Sequence, residues 1–337
     1  MRPSDTLSPM PTRAKLHAAG DEHRPGPVMV IGGAEDKLRN RVILSRFVEM
    51  AKGAHGHIVV ISTASSLGEE ATELYRELFN HMGVGRVSGL RPLTREEANE
   101  PAAAKLTDQA TGIFLTGGNQ LRLSSVVGGT GLGLALNRAH SRGAVIAGTS
   151  AGASAVSTHM MAFGASGPTP KSRMAQVSAG LGILRNVVVD QHFEQRTRLG
   201  RLLAVVAQSP SLIGLGLDED TAAIVYPDET LEVVGRGAVT IVDGSMLVSD
   251  AFEARGHRPI MVSGAILHSL PSGYRFDLNE RTLAPTVAGQ PARAERGRES
   301  AAKRLRRLSR TIAAEGANPF VVERRRRRRA EEREASE

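Results

Sequence analysis

The sequence predicts an α/β fold, with a mostly parallel sheet, helices on both faces and an antiparallel extension at one edge. Three observations carry this. Short β-branched runs recur from Val28 to about residue 285. Amphipathic stretches of helical length separate the earlier runs, the pattern of βαβ units. After about residue 220 the runs follow one another closely, which suits antiparallel neighbours rather than crossovers.

The elements come in the following order. VMVI (28–31) is apolar throughout, as a strand covered on both faces should be. LRNRVILSRFVEMAKG (38–53) reads as its crossover helix, and HIVVIST (57–63) as the next strand. EEATELYRELFNHMG (69–83) is a second amphipathic helix; GIFLTG (112–117), LRLSSVV (121–127) and AVIAG (144–148) continue the alternation. NVVVDQ (186–191), LIGLGLD (212–218) and AAIVY (222–226) are the later apolar runs. Residues 1–27, rich in Pro and charge, read as a mobile leader. The catalytic-sized domain then spans 28–289, and 290–337 is a basic tail of low complexity.

Composition narrows the function classes. The chain has 337 residues, 41% of them hydrophobic, enough for a full core. It has no cysteine, which excludes a thiol nucleophile, a disulfide framework and thiolate metal sites. Aromatic residues are 3% with no Trp, so a stacking platform for nucleic acid is not expected. The net charge of +8 is concentrated at the end, since the stretch from Arg293 onward carries 15 Lys/Arg against 8 Asp/Glu. That leaves a nearly neutral body, and the basic stretch reads as a solvated tail or as a weak contact for an anionic polymer. No run approaches the roughly 20 apolar residues of a membrane helix, and the N-terminus lacks the apolar segment of a secretory signal. A cytoplasmic protein without metal or cofactor is the expectation.

In open α/β sheets ligands bind beyond the carboxyl ends of the strands. Five polar or glycine-rich clusters fall at such ends: IGGAEDK (31–37), TGGNQ (116–120), GTSAG (148–152), DQHF (190–193) and DEDT (218–221). GTSAG has the G-x-S-x-G form in which a sharp strand-to-helix turn lifts a serine hydroxyl to the sheet rim. The alternative is a tight or phosphate-binding βα turn. His192 sits at a strand end on the same rim, where an imidazole can reach Ser150. Asp218, Glu219 and Asp220 end another strand and supply an acid to orient that imidazole. Alternation puts Asp218 and Asp220 on one side and Glu219 on the other, and spacing does not choose between them. The order Ser, His, acid differs from that of the α/β-hydrolases.

Taken together, IGGAEDK, FLTGGNQLRL, GTSAGASA, DQHFEQRTRLGRL and GLGLDEDTA resemble the cyanophycinases, in the family of serine peptidases that also holds aspartyl dipeptidase. The similarity spans about residues 28–285 and omits both terminal extensions. It implies a class I glutamine-amidotransferase-like fold and a homodimer. It also implies hydrolysis of cyanophycin, a polyaspartate whose β-carboxyls carry arginine, to β-Asp-Arg dipeptides. On matching positions, the resemblance makes Ser150 the nucleophile, His192 the base and Glu219 the acid. Gln120, Asp190, Gln191, Arg196, Arg198 and Arg201 correspond to substrate-pocket positions. The mixed spacing of the three arginines does not form one helical stripe, so not all three need face the pocket. Backbone N–H groups of Ala151 and Gly118 are the candidate oxyanion donors. An aspartyl or isoaspartyl dipeptidase is the nearest alternative activity, and a non-catalytic binding module for charged polypeptides is the alternative of another class.

Overall fold

Strand Val28–Ile31 shows how the core is laid out, because its side chains alternate between two separate apolar clusters. Val28 and Val30 face one, and Met29 and Ile31 face the other. The structure, a computed structural model, describes residues 24–285. Most of the expected leader (1–27) and all of the expected tail (290–337) lie outside the described residues.

In chain order the elements are β1 (Val28–Ile31), α1 (Val42–Met50), β2 (His57–Ile61), α2 (Glu69–His81) and β3 (Arg86–Leu90). Then come α3 (Arg95–Ala98), α4 (Pro101–Asp108), β4 (Gly112–Leu115), α5 (Gln120–Val127) and α6 (Gly131–Ser141). The nucleophile-like turn joins β5 (Val145–Thr149) to α7 (Ala151–Ala155), followed by the hairpin β6 (His159–Gly164) and β7 (Ala175–Ala179). Next are β8 (Val187–Gln191), α8 (Leu199–Gln208), β9 (Ile213–Leu217), β10 (Thr221–Val225), β11 (Thr230–Gly235) and β12 (Ala238–Asp243). The last described strands are β13 (Val248–Ser249), β14 (Val262–Ser263), β15 (Ile266–Pro271), β16 (Arg275–Asp277) and β17 (Thr282–Ala284).

The main sheet has nine strands in the order β17-β16-β11-β10-β1-β5-β4-β2-β3. β1, β5, β4, β2 and β3 are parallel, and β10, β11, β16 and β17 extend it as antiparallel neighbours. This is the expected parallel sheet with an antiparallel edge. One face carries α1 and α2, whose Phe47, Tyr75 and Phe79 pack around Phe114 of β4 with ring centroids 4.6–5.5 Å away. The other face carries α5, α6 and α7 over Val59, Ile61, Ile113, Leu115 and Ile146. No helix among the described residues is long and apolar enough to cross a membrane.

Three details differ from the sequence reading. First, β8 and β9 leave the main sheet and form a second one, in the order β15-β12-β9-β8. An apolar run does not encode which strands it pairs with; here Gly216 of β9 lets the Phe193 ring lie where a Cβ would be 2.5 Å from it. Second, α1 starts at Val42 rather than at 38. The Asp36 carboxylate accepts the backbone N–H groups of Leu38, Arg39, Asn40 and Arg41, holding that stretch as a turn. Third, the chain is already fixed before Val28, with Gly26 bonded to His140 through both backbone and side chain.

The two sheets bring their strand ends together. Ile31 pairs with Thr149, so Gly32 and Ser150 leave the main sheet side by side. Gln191 pairs with Leu217, so His192 and the 218–220 turn leave the second sheet side by side. The chain then crosses from β9 into β10, which is hydrogen-bonded to β1.

Candidate active site

Ser150 sits between β5 and α7 with φ 51° and ψ −109°. A non-glycine residue held there stores roughly 1–3 kcal/mol of strain, which only rigid surroundings maintain. Two glycines permit the turn. A Cβ on Gly148 would lie 2.4 Å from the backbone of Gly152, and one on Gly152 would lie 2.3 Å from the Leu115 carbonyl oxygen. The two glycines of GTSAG are therefore steric requirements, with backbones in direct contact at both positions.

His192 follows β8, also at positive φ (49°). Its Nε2 lies 2.8 Å from Ser150 Oγ, and its Nδ1 lies 2.6 Å from Glu219 Oε1. The three side chains form one unbroken hydrogen-bonded line. Burial pushes the imidazole pKa below its ordinary value, and the Arg196 and Arg198 guanidiniums act in the same direction. The Glu219 bond opposes this without cancelling it.

The three acids of the 218–220 turn have different partners. Asp218 is buried and accepts N–H bonds from Glu194 (3.2 Å) and Ala238 (3.0 Å). Asp220, at φ 49°, accepts the Asp36 N–H at 2.9 Å. Only Glu219 is directed at His192, and its own N–H is held by Gln195 at 3.0 Å.

The remaining sequence-predicted residues gather into two groups. Asp190, Gln191, Arg198 and Arg201 are all buried. Arg201 grips Asp190 through Nε (2.6 Å) and Nη2, and donates from Nη1 to the Gly164 carbonyl at 3.0 Å. Arg198 reaches Asp190 at 3.3 Å and both the carbonyl and the side chain of Gln191. Burial, with Arg201 and Arg196 close by, brings Arg198 down to about 10 despite the Asp190 charge. Its Nε is buried and has no hydrogen-bond partner among the described residues. Arg196 is exposed. Gln120 is half-buried and donates to the Met161 (3.1 Å) and Ala162 (2.6 Å) carbonyls of β6. The second group is backbone. Ala151 opens α7, and the adjacent TGG turn approaches Ser150 so closely that a Cβ on Gly117 would lie 3.3 Å from Ser150 Cβ. Gly118, at φ 139°, is pressed against the Ala64 carbonyl.

Sequence reasoning placed IGGAEDK on the rim but assigned it no contacts. Its backbone supports the imidazole directly: the Gly32 carbonyl accepts the His192 N–H at 2.9 Å. A Cβ on Gly33 would lie 2.4 Å from His192 Cε1. The glycine pair at a strand end was the only available signal.

Comparison with known proteins agrees with this architecture. Residues 28–234 match peptidase family S51. The cyanophycinase of Trichormus variabilis is 40% identical over 263 residues, covering 77% of this chain and 88% of that protein. The cyanophycinase of Geminocystis herdmanii is 37% identical over 260 residues, covering 77% of this chain and 95% of that protein. A crystal structure of a peptidase from an acI-B1 actinobacterium shares the fold, with a TM-score of 0.57 at 24% identity over 76% of this chain and 98% of that one. The chain belongs to peptidase family S51 and is a serine peptidase.

Proposed function

We propose that the chain hydrolyses cyanophycin to β-Asp-Arg dipeptides, with Ser150 as nucleophile, His192 as general base and Glu219 as the acid that orients it. The observation that carries this reading is the Ser150–His192–Glu219 line, at 2.8 and 2.6 Å. His192 Nε2 takes the Ser150 proton as Oγ attacks the backbone carbonyl of an aspartyl unit. The tetrahedral oxyanion faces the N–H groups of Ala151 and Gly118. Imidazolium returns the proton to the leaving nitrogen, and water, deprotonated by His192, releases the acyl group.

The buried arginines favour a carboxylate-bearing substrate. Two guanidiniums, Arg198 and Arg201, share the single carboxylate of Asp190, and Arg198 Nε keeps an unused donor. Each cyanophycin unit presents a free arginine α-carboxylate, which would balance that excess charge. The relatives' activity on cyanophycin supports the same assignment. The test is incubation of the protein with insoluble cyanophycin, beside a panel of α- and β-aspartyl dipeptides. Soluble β-Asp-Arg is the expected product. Cleavage of the dipeptides alone would replace the reading with a dipeptidase, and binding without release would replace it with a binding module.

Three further results are expected. Because His192 is held below its ordinary pKa of 6.5, the neutral base is already present at pH 7. kcat/KM should be flat there and fall about tenfold per pH unit only below 6.5. Arg196→Gln removes a cation that disfavours imidazolium, so it should move this limb to higher pH in the pH–rate profile. Gly33→Ala places a methyl against the imidazole and forces alanine to φ 101°. Steady-state hydrolysis should fall by roughly 100-fold from misalignment of the base.

A further inference from the structure

We propose that Glu35 is a positioning residue for the nucleophile turn: its buried carboxylate ties Thr149, the residue before Ser150, to helix α2 through Tyr75. The role rests on Ser150 being the nucleophile. Glu35 is 3% exposed, although a carboxylate is among the costliest groups to bury. Its partners are specific. Thr149 Oγ1 donates to Oε2 at 2.6 Å, and Tyr75 Oη donates to Oε1 at 2.5 Å. Lys37 Nζ lies 2.8 Å from Oε1 and 5.3 Å from the centre of the Tyr75 ring, over the outer side of the group. Burial raises the carboxyl pKa, but the Lys37 charge and the bonds from Lys37, Thr149 and Tyr75 bring it below the ordinary value. Glu35 is therefore a charged acceptor for both hydroxyls.

An apolar side chain would fill this place at lower cost, so the choice of an ion needs a reason. The reason lies in what the 31–36 segment holds. Ser150 N–H donates to the Ile31 carbonyl and His192 N–H to the Gly32 carbonyl, both at 2.9 Å. Asp220 N–H donates to the Gly33 carbonyl at 2.9 Å, and Asp36 N–H returns a bond to Asp220 Oδ1 at 2.9 Å. One short loop thus touches all three turns that carry Ser150, His192 and Glu219. Each of those turns contains a non-glycine residue at positive φ, namely Ser150, His192 and Asp220. Such conformations persist only where neighbours over-determine them. Glu35 is the one side chain of the loop that locks it to both α2 and β5. Its bond to Thr149 also fixes the residue whose carbonyl side enters the strained turn.

The experiment compares Glu35→Gln, Thr149→Val and Thr149→Ser with the wild-type chain. Two readouts are used: kcat and KM on cyanophycin, and the rate at which an alkyl fluorophosphonate modifies Ser150. In that modification Ser150 Oγ bonds to phosphorus, fluoride leaves, and His192 takes the serine proton. Glu35→Gln and Thr149→Val should each lower kcat and the modification rate by about 10–100-fold. KM should stay within about twofold, because no substrate contact is removed. Thr149→Ser restores the hydroxyl donor and should return both rates to within about threefold of wild type. Circular dichroism and thermal midpoints establish folding; if Glu35→Gln does not fold, the isosteric Thr149→Val and its serine counterpart decide. Unchanged rates in the folded variants, a rise in KM alone, or equal impairment of Thr149→Ser and Thr149→Val would each overturn the role. A wild-type chain that is modified at Ser150 but leaves cyanophycin intact would overturn the substrate reading only. A wild-type chain that is not modified would overturn the nucleophile assignment and the positioning role with it.

Discussion

Ser150→Ala is expected to lower cyanophycin turnover by about 10³-fold or more while the thermal midpoint stays within a few degrees of wild type. Removing the nucleophile of a triad leaves only the contribution of the oxyanion donors and of substrate binding. The fold should tolerate the change, because alanine is no larger than serine and the turn's geometry is set by Gly148 and Gly152. Both residues carry a Cβ, so alanine meets the same steric restriction at φ 51°. Substrate affinity should survive too, since the residues proposed above to hold the substrate are untouched. A Ser150→Ala protein that retains substantial activity would remove the central residue of the mechanism.

Arg201→Ala should destabilise the protein by roughly 3–5 kcal/mol, the usual cost of removing one partner from a buried ion pair. Arg201 is 4% exposed and Asp190 is fully buried, so the lost guanidinium leaves a carboxylate shielded from bulk solvent. Two bonds to Asp190 and one to the Gly164 carbonyl disappear together. Arg198 is left as the remaining cation on Asp190, reaching it at 3.3 Å. Urea unfolding followed by circular dichroism measures the effect. A loss below about 1 kcal/mol would mean that the cluster behaves like a solvated surface pair.

Much of this architecture was legible in the sequence, for local reasons. Runs such as VMVI and HIVVI announce strands buried on both faces, and GTSAG announces its turn because close backbone contact admits only small residues. Ser150 and His192, 42 residues apart, were connected by one rule, that both end a strand on the same rim. The choice among Asp218, Glu219 and Asp220 was not legible from spacing. β9 ends at Leu217, and Asp220 turns to φ 49°, so strand alternation does not extend across the three acids. The resemblance to known peptidases named Glu219, and the structure directs that residue at His192. The second sheet was hidden because pairing partners depend on contacts far along the chain. Glu35 was hidden for the same reason, since Tyr75 and Thr149 lie 40 and 114 residues away from it. The stretch from Arg196 to Arg201 read as a cationic run with unequal spacing. Its division into exposed Arg196 and buried Arg198 and Arg201 follows from where Asp190 sits.

The most direct test of the central claim is to treat the protein with an alkyl fluorophosphonate at pH 7 and map the adduct by peptide mass spectrometry. A single adduct is predicted, on the peptide carrying Ser150, absent from Ser150→Ala and formed more slowly as the pH falls below 6.5. An adduct on a different serine, or equal modification of Ser150→Ala, would contradict the account.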